Sequence, residues 1–427
     1  MGTIFVLLML YLATGKSGVE GARSISRKQE YDDLDLEMQF KLLNKPPVKS
    51  IKFLCYLKTE IYAIVFVQTK YGDIYDCVDI KKQPAFDHPL LRNHTIQMKP
   101  SSFPIGMINK ELLESKPSKV RVKSSGCPPR TVLIQRIQKE DIIRAKSQVR
   151  RHPGNVDLLT TKNPGYHFAT FQLGRSDVKY YGGYVSLALD QPKVSSINQF
   201  SEAVLWVENG PVDQLNSLQV GWAVNPKLFG DNRTRMFSYW TADGFHKTGC
   251  FNLLCPGFVQ VSCIKTFGYL YSDTSPYGDL PFEDEFILFK DPESGNWWLV
   301  TSSTSISGEH EYIGYWPSSL FTTLRDSASI IASGGEVYSP TSEPSPQMGR
   351  GRLPIIQDDD RHATWYSTYA RKLQFVDEKF SFVNPDASLL KIHMDSIACY
   401  KAESLISHNP YRINTILFGG PGGQCGI

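Results

Sequence analysis

Residues 215–263 read LNSLQVGWAVNPKLFGDNRTRMFSYWTADGFHKTGCFNLLCPGFVQVSC. Leu218, Val220, Trp222 and Val224 alternate with Gln219, Gly221 and Ala223. A period of two places the bulky apolar side chains on one sheet face and Gln219, between small residues, on the other. Asn225-Pro226 ends that strand, and Gly230-Asp231-Asn232 reads as a turn. Met236, Ser238 and Trp240 alternate with Phe237, Tyr239 and Thr241, which predicts a second strand. Cys250 and Cys255 then bracket Phe-Asn-Leu-Leu, a loop short enough to be closed by a disulfide.

Outward from this stretch the same signal recurs. From about His167 the pattern predicts strands over Lys179 to Leu189, Phe200 to Glu208, Ser217 to Val224, Met236 to Thr241 and Gly257 to Ser262. Further strands are expected over Glu283 to Lys290, Trp297 to Thr301, Tyr312 to Trp316, Ile330 to Tyr338, His362 to Phe375 and Thr415 to Phe418. Ser318 to Asp326 reads as the one helix among them. Glycine and proline clusters between short strands predict a mainly β protein, a large antiparallel two-sheet β-sandwich. With 427 residues, 12% aromatics, 32 Gly and 26 Pro, the chain has room for two units and a turn-rich composition.

Composition also excludes function classes. A net charge of +3 from dispersed Lys and Arg gives no nucleic-acid footprint. No HExxH and no paired CxxC framework argue against a metal site, and no GxSxG elbow argues against a serine hydrolase. Gly419-Gly420-Pro421-Gly422-Gly423 lacks the Gly-Lys-Ser/Thr of a phosphate loop, so no cofactor is expected. Ile4 to Ala13 is an apolar run of signal-peptide length, too short to span a bilayer, so residues 1–22 are read as a secretion signal. The sequons at Asn93 and Asn232 fit that route as glycosylation sites.

Several motifs carry a resemblance. GWAV-P, L-GDNRTR-F-YWTADG, KTGC-NLLCPGFVQV, GNWW, GYWP, GGEV and the terminal GGPGG resemble the plant neprosin family of secreted peptidases. TKYGDIYDCVDIKKQPAFDHPLL, NHTIQMKPSS and GCPPRTVLIQR resemble that family's N-terminal activation segment. The resemblance implies a small, mostly irregular α/β activation segment over residues 23–160 and a catalytic-type sandwich over residues 161–427, with a cleft across one sheet. It also implies a proline-containing peptide as substrate, an intramolecular activation segment as partner, and an extracellular, monomeric protein of the apoplast or cell wall. Leu34 to Leu43 is a short amphipathic helical pattern, and Arg144 to His152 reads as a solvated basic connector, with an exposed processing site as the functional alternative. Phe53 to Gln68 interrupts the family pattern and, with Lys58 and Glu60, is no membrane span. Within this architecture Cys77 with Cys127, Cys250 with Cys255 and Cys399 with Cys425 are the candidate disulfides, although spacing leaves the connectivity open. Cys55 and Cys263 remain over.

Glutamic peptidases attack the amide with water, so one carboxylate acts as base while a partner stabilises the oxyanion and helps protonate the leaving nitrogen. The resemblance puts this pair at Glu336, in Gly-Gly-Glu-Val, and at Gln219, where the family pattern carries glutamate. A tryptophan frequent before Gly-Gly-Glu is replaced by Ser333. Ala332, Gly334, Glu336 and Tyr338 share a strand face, leaving room for substrate beside the carboxylate. Gln219 donates a hydrogen bond but shuttles no proton, which leaves two readings. One is a glutamic endopeptidase working with a Gln/Glu pair or weakened by it. The other is a non-catalytic sandwich that binds a peptide or glycan in the same cleft. Trp222, Tyr239, Trp240 and Tyr338 are the candidate cleft residues, and the proline-rich stretch Lys99 to Pro104 is the candidate occupant in the precursor. Trp297, Trp298, Tyr315 and Trp316 read as core. Asp231, Arg233 and Arg235 read as a turn with ion pairs, and Asp358 to Asp360 as a solvated loop.

Overall fold

The computed structural model describes residues 34–52, 73–106, 116–117, 127–147, 164–174, 178–302, 310–355, 360–405 and 414–425. The apolar run Ile4 to Ala13, the stretch Phe53 to Gln68 with Cys55, the pair Arg150-Arg151, and Asp358 lie outside these residues.

The body is a two-sheet β-sandwich. The smaller sheet has seven strands in the order Cys250–Phe251, Arg235–Thr241, Asn216–Val224, Phe200–Asn209, Ile330–Tyr338, Tyr166–Gly174, Lys391–Met394. Every pairing within it is antiparallel. The larger, ten-stranded sheet is centred on Gly182–Ala188, Phe282–Lys290 and Trp297–Ser302. A parallel contact joins Lys116–Pro117 to Phe282 and Glu283 in it. The sheets pack through alternate residues: Leu205, Leu218, Val220, Trp222 and Ile331 from one side, Val185, Leu187, Phe286 and Leu288 from the other, all fully buried.

A small sheet of Lys49–Lys52, Ile74–Asp79 and Thr131–Gln135 precedes the sandwich, stapled by Cys77–Cys127. It docks on the end of the larger sheet, where Gln83 exchanges two hydrogen bonds with the Gln260 backbone, at 2.7 and 3.0 Å. Val78, Leu91, Val132 and Ile134 run continuously into the sandwich core. Residues 34–43 are helical, with Leu43 packed on Ile137 and Ile142 and with Leu36 and Phe40 partly covered. Cys250–Cys255 and Cys399–Cys425 are the other two disulfides, while Cys263 is a half-buried thiol beside the Cys77–Cys127 bridge.

Two elements differ from the sequence reading. Ser318 to Asp326 forms only one 3-10 turn, Ser318–Leu320. The Asn216 carboxamide oxygen accepts from the N–H groups of Thr322, Thr323 and Leu324, satisfying donors that a helix would otherwise have used. His362 to Phe375, read as one strand, is a helix over Asp360–Tyr366 followed by a strand over Thr368–Val376. The Arg350 guanidinium donates to the carbonyls of Thr364 and Trp365 and so caps the helix C-terminus. The strand Tyr166–Gly174, which periodicity missed, lies beside the strand of Glu336.

Candidate active site

Strand register fixes which side chains share the outer face of the smaller sheet, since directly paired residues point the same way. Gln219 pairs with Trp206, and Trp206 with Ala332. Two residues along the strands, Gly221 pairs with Val204, and Val204 with Gly334. Two further along, Ala223 pairs with Glu202, Glu202 with Glu336, and Glu336 with Phe168. Gly221, Val204 and Gly334 thus form a low strip across the face, termed here the trough floor. One bank is Gln219 and Trp206, and the other is Glu202 and Glu336.

The floor is low for a backbone reason. A Cβ on Gly334, which sits at φ +143°, would come within 2.4 Å of the Ala169 carbonyl oxygen. A Cβ on Gly221 would meet the Ala203 carbonyl oxygen at 1.9 Å. Neither position admits a larger residue without moving a neighbouring strand.

Glu336 and Gln219 thus share a face but stand on separate strands, with Phe200–Asn209 between them and a four-residue offset. The expectation of adjoining strands is corrected. Two strand spacings and four residues along put their Cα atoms about 16 Å apart on a flat sheet, room for a peptide between the side-chain ends. Glu336's direct partner is Glu202, at a Cβ separation of about 5 Å for a cross-strand pair. Both are buried, at 0% and 1% exposure. Sequence reasoning missed Glu202, although its alternation with Ala203, Leu205 and Val207 would have put it on the same strand face as Glu208, opposite those apolar residues.

The remaining candidates divide by face. Tyr239 pairs directly with Gln219 and stacks with Phe245. Tyr338 lies two residues beyond Glu336, in an aromatic wall with Tyr166, Phe168 and Phe200. Trp222 and Trp240 are on the opposite face, against the expectation that they line the cleft. An odd-numbered step from Gln219 and Tyr239 sends both into the inter-sheet core, where Trp222 Nε1 donates to the Ala188 carbonyl of the other sheet at 2.7 Å. Ser333 also faces away, its hydroxyl donating to the Val204 carbonyl at 2.8 Å.

Lys99 to Pro104 is not in the trough. Ser101 donates to Asp291, and Phe103 packs edge-on against Phe289 on the outer face of the larger sheet. Among the described residues of the segment, the helix Lys139–Ser147 lies beside the Pro226–Phe229 helix, and its Ala145 packs on the edge of a cluster that joins Leu228 to Val204, Trp206, Tyr239 and Ala332. Its Glu140 and Asp141 in the first turn and Arg144 and Lys146 in the last complement the helix dipole. Arg235, 1% exposed, ties the segment down from below the rim, bonded to Asp231 at 2.6 Å and to Asp73 at 2.8 Å.

At the far end of the Gln219 bank, Ser217 pairs with Glu208. Ser217 Oγ donates to Glu208 Oε1 at 2.7 Å and accepts from Gln219 Nε2 at 3.2 Å. Burial pushes the Glu208 carboxyl up to about 7, against a smaller downward pull from the serine hydroxyl. Among the described residues no three His, Cys, Asp or Glu gather as a metal site.

Comparison with known proteins gives two family matches. The Neprosin family model matches residues 197–421, and the Neprosin activation peptide model matches residues 66–171, ending inside the strand Tyr166–Gly174. Among solved structures the chain is similar to Scytalido-glutamic peptidase bound to a peptide-based transition-state analogue, at 8% identity and TM-score 0.31, covering 60% of this chain and 98% of that one. It is similar to SCP-B, a member of the Eqolisin family of peptidases, at 9% identity and TM-score 0.30, covering 60% and 98%. A β-porphyranase of the human gut bacterium Bacteroides plebeius follows at 8% and 0.20, covering 41% and 66%. Likenesses this distant carry no argument about chemistry. The family match spans the trough, both of its banks and the Cys250–Cys255 loop, and with it the chain belongs to the neprosin family.

Proposed function

We infer that this chain is the precursor of a secreted peptidase that hydrolyses proline-containing peptides with water, with Glu336 and Glu202 as its carboxyl pair. The observation that carries the reading is the direct cross-strand opposition of these two buried glutamates on the trough face. Two facing carboxyls repel when both are ionised, so the pair favours holding one proton between them. The ionised member takes a proton from water as the water oxygen attacks the scissile carbonyl carbon. The protonated member gives its proton to the amide nitrogen as the carbon–nitrogen bond breaks, and the pair ends with one proton, as it began. Gln219, across the floor, supplies an N–H to the oxyanion, the task that a carboxamide performs without titrating. The loss of a carboxyl at position 219 therefore leaves the acid–base chemistry in place.

The aromatic wall of Tyr166, Phe168, Phe200 and Tyr338 beside Glu336 offers flat apolar surface for a pyrrolidine ring, which supports the proline preference. The helix Lys139–Ser147, packed beside the trough face through Ala145, supports inhibition by the activation segment until cleavage. Three disulfides support passage through an oxidising compartment, and no described helix is long and apolar enough to cross a membrane. Asn93 and Asn232 are both exposed, as glycosylation requires.

The non-catalytic reading rests on Gln219 alone. Incubating purified, processed protein with a proline-containing peptide separates the two. Cleavage lost in Glu336→Gln supports the peptidase, whereas saturable binding without product supports the binding module.

A further inference from the structure

The Gln219 bank of the trough ends in three buried polar groups in series: Glu208, Ser217 and Gln219, at 3%, 0% and 0% exposure. Their order limits the hydrogen bonds they can make. A serine hydroxyl has one proton. While Ser217 gives that proton to Glu208, its oxygen has only lone pairs to offer, and the Gln219 carboxamide must turn its nitrogen toward the serine, as it does at 3.2 Å. Turning the nitrogen to the serine turns the Gln219 oxygen the other way. A Glu208 that instead donates to Ser217 Oγ frees the serine proton for the Gln219 oxygen, and the carboxamide then presents its NH2 on the other side.

We propose that Glu208 is a positioning residue that acts through Ser217 to set which end of the Gln219 carboxamide faces the substrate trough, oxygen when Glu208 is ionised and NH2 when it is protonated. The proposal rests on the peptidase reading for its consequence. An oxyanion needs a donor, so the protonated form of Glu208 is the productive one, and the device favours activity on the acid side. Other ionisable groups leave Glu208 in control of its own proton. On the same face, Glu202 lies six residues along its own strand, and Glu336 lies opposite Glu202. Tyr239 belongs to the next strand but one, opposite Gln219. In the turn that follows Tyr239, Asp243 is engaged by the N–H groups of His246, Lys247 and Thr248. Burial and the Ser217 hydroxyl are the two influences that act on Glu208 itself, and they place its titration near neutrality.

The test uses the full chain after proteolytic removal of the activation segment. The side-chain amide of Gln219 is followed by 15N NMR from pH 5 to 8, and hydrolysis of a proline-containing fluorogenic peptide is followed over the same range. Wild type should show the amide signal moving with a midpoint near neutrality, and kcat falling about tenfold or more across it while KM changes little, as loss of one oxyanion donor requires. In Glu208→Gln the neutral carboxamide donates to Ser217 at every pH. The NMR transition should vanish, and the ratio of variant to wild-type kcat should rise about tenfold from pH 5 to pH 8, the carboxyl pair being common to both proteins. Ser217→Ala cuts the link and should abolish the transition with a low, flat kcat, so that a folding defect in one variant does not decide the matter. An unmoved amide signal in wild type, or a Glu208→Gln profile that superimposes on it, overturns the proposal. A titrating amide in a protein that cleaves nothing supports the positioning role and retires the peptidase reading instead.

Discussion

Glu202 stands directly opposite Glu336 on the neighbouring antiparallel strand, and both side chains are buried on the outer face of the smaller sheet. Like charges placed directly opposite destabilise a strand pair, and burial adds the cost of desolvating each carboxylate. A fold has little structural use for such a pair. It makes chemical sense where one proton has to be held and moved. In the proposed reading Gln219 is then the opposite bank of the trough rather than a missing half of the acid–base pair.

Trp222 should behave as core, not as a substrate contact. It bridges the sheets through its bond to the Ala188 carbonyl and is fully buried. Trp222→Ala should cost about 3–5 kcal/mol in urea unfolding, as large-to-small changes of a buried tryptophan do. A loss below 1 kcal/mol, with KM raised instead, would restore Trp222 to the cleft.

The Arg235–Asp73 contact should matter only while the activation segment is attached. Arg235 is buried and keeps Asp231 and the Gly268 carbonyl whatever happens to Asp73, so Asp73→Asn removes one of its two charged partners. The expected loss in the intact precursor is about 1–3 kcal/mol, read as a lower denaturation midpoint and faster release of the segment after nicking. Unchanged stability and release would mean that the apolar contacts alone hold the segment.

Glu208 predicts a stability trend of definite sign. Its carboxyl, with an ordinary value of 4.5, is raised to about 7 in the fold by burial. The native protein therefore holds a proton that the unfolded chain has released. The favourable contribution is complete below about pH 4.5, shrinks as pH rises, and is gone above about pH 7. Glu208→Gln should be the more stable protein at pH 8, by about 3 kcal/mol, and should lose that advantage on titration to pH 4.5. Equal stabilities at pH 8 would show that Glu208 ionises freely in the native state.

The Cys77–Cys127 bridge closes the activation segment over a sequence separation of 50. Its loss in Cys127→Ser should cost about 2–4 kcal/mol, confined to the segment. Calorimetry of the precursor would then show an earlier transition for the segment and an unmoved one for the sandwich. A uniform shift of both transitions would mean that segment and sandwich unfold as one unit, as their shared core would allow.

Much of the fold was legible because strands that turn their bulkiest residues to one face write that face into alternation, and Asn216–Val224 and Arg235–Thr241 do so although both are buried throughout. The three disulfides are those that the family resemblance implied, since spacing alone left the connectivity open. What the sequence did not reveal depends on register. Alternation tells that Trp222 and Gln219 part company, once applied strictly, but the motif GW drew the tryptophan into the cleft. Only pairing brings Glu202 to Glu336 across 134 residues, 336 − 202. Likewise, no periodicity shows that Asn216 consumes the donors of a would-be helix at Thr322 to Leu324. Lys99 to Pro104 failed as trough occupant because its partner, Asp291, lies in a loop of the other sheet.

The central claim is that Glu202 and Glu336 perform the chemistry together, and steady-state peptidase assays on processed wild type, Glu202→Gln, Glu336→Gln and the double variant test it most directly. The account predicts cleavage of a proline-containing peptide at acid pH by wild type. Each single variant should lose about 10²- to 10⁴-fold in kcat with the fold intact, and the double variant should be no worse than the poorer single, because the pair acts as a unit. Full activity in Glu202→Gln alongside an inactive Glu336→Gln would contradict it.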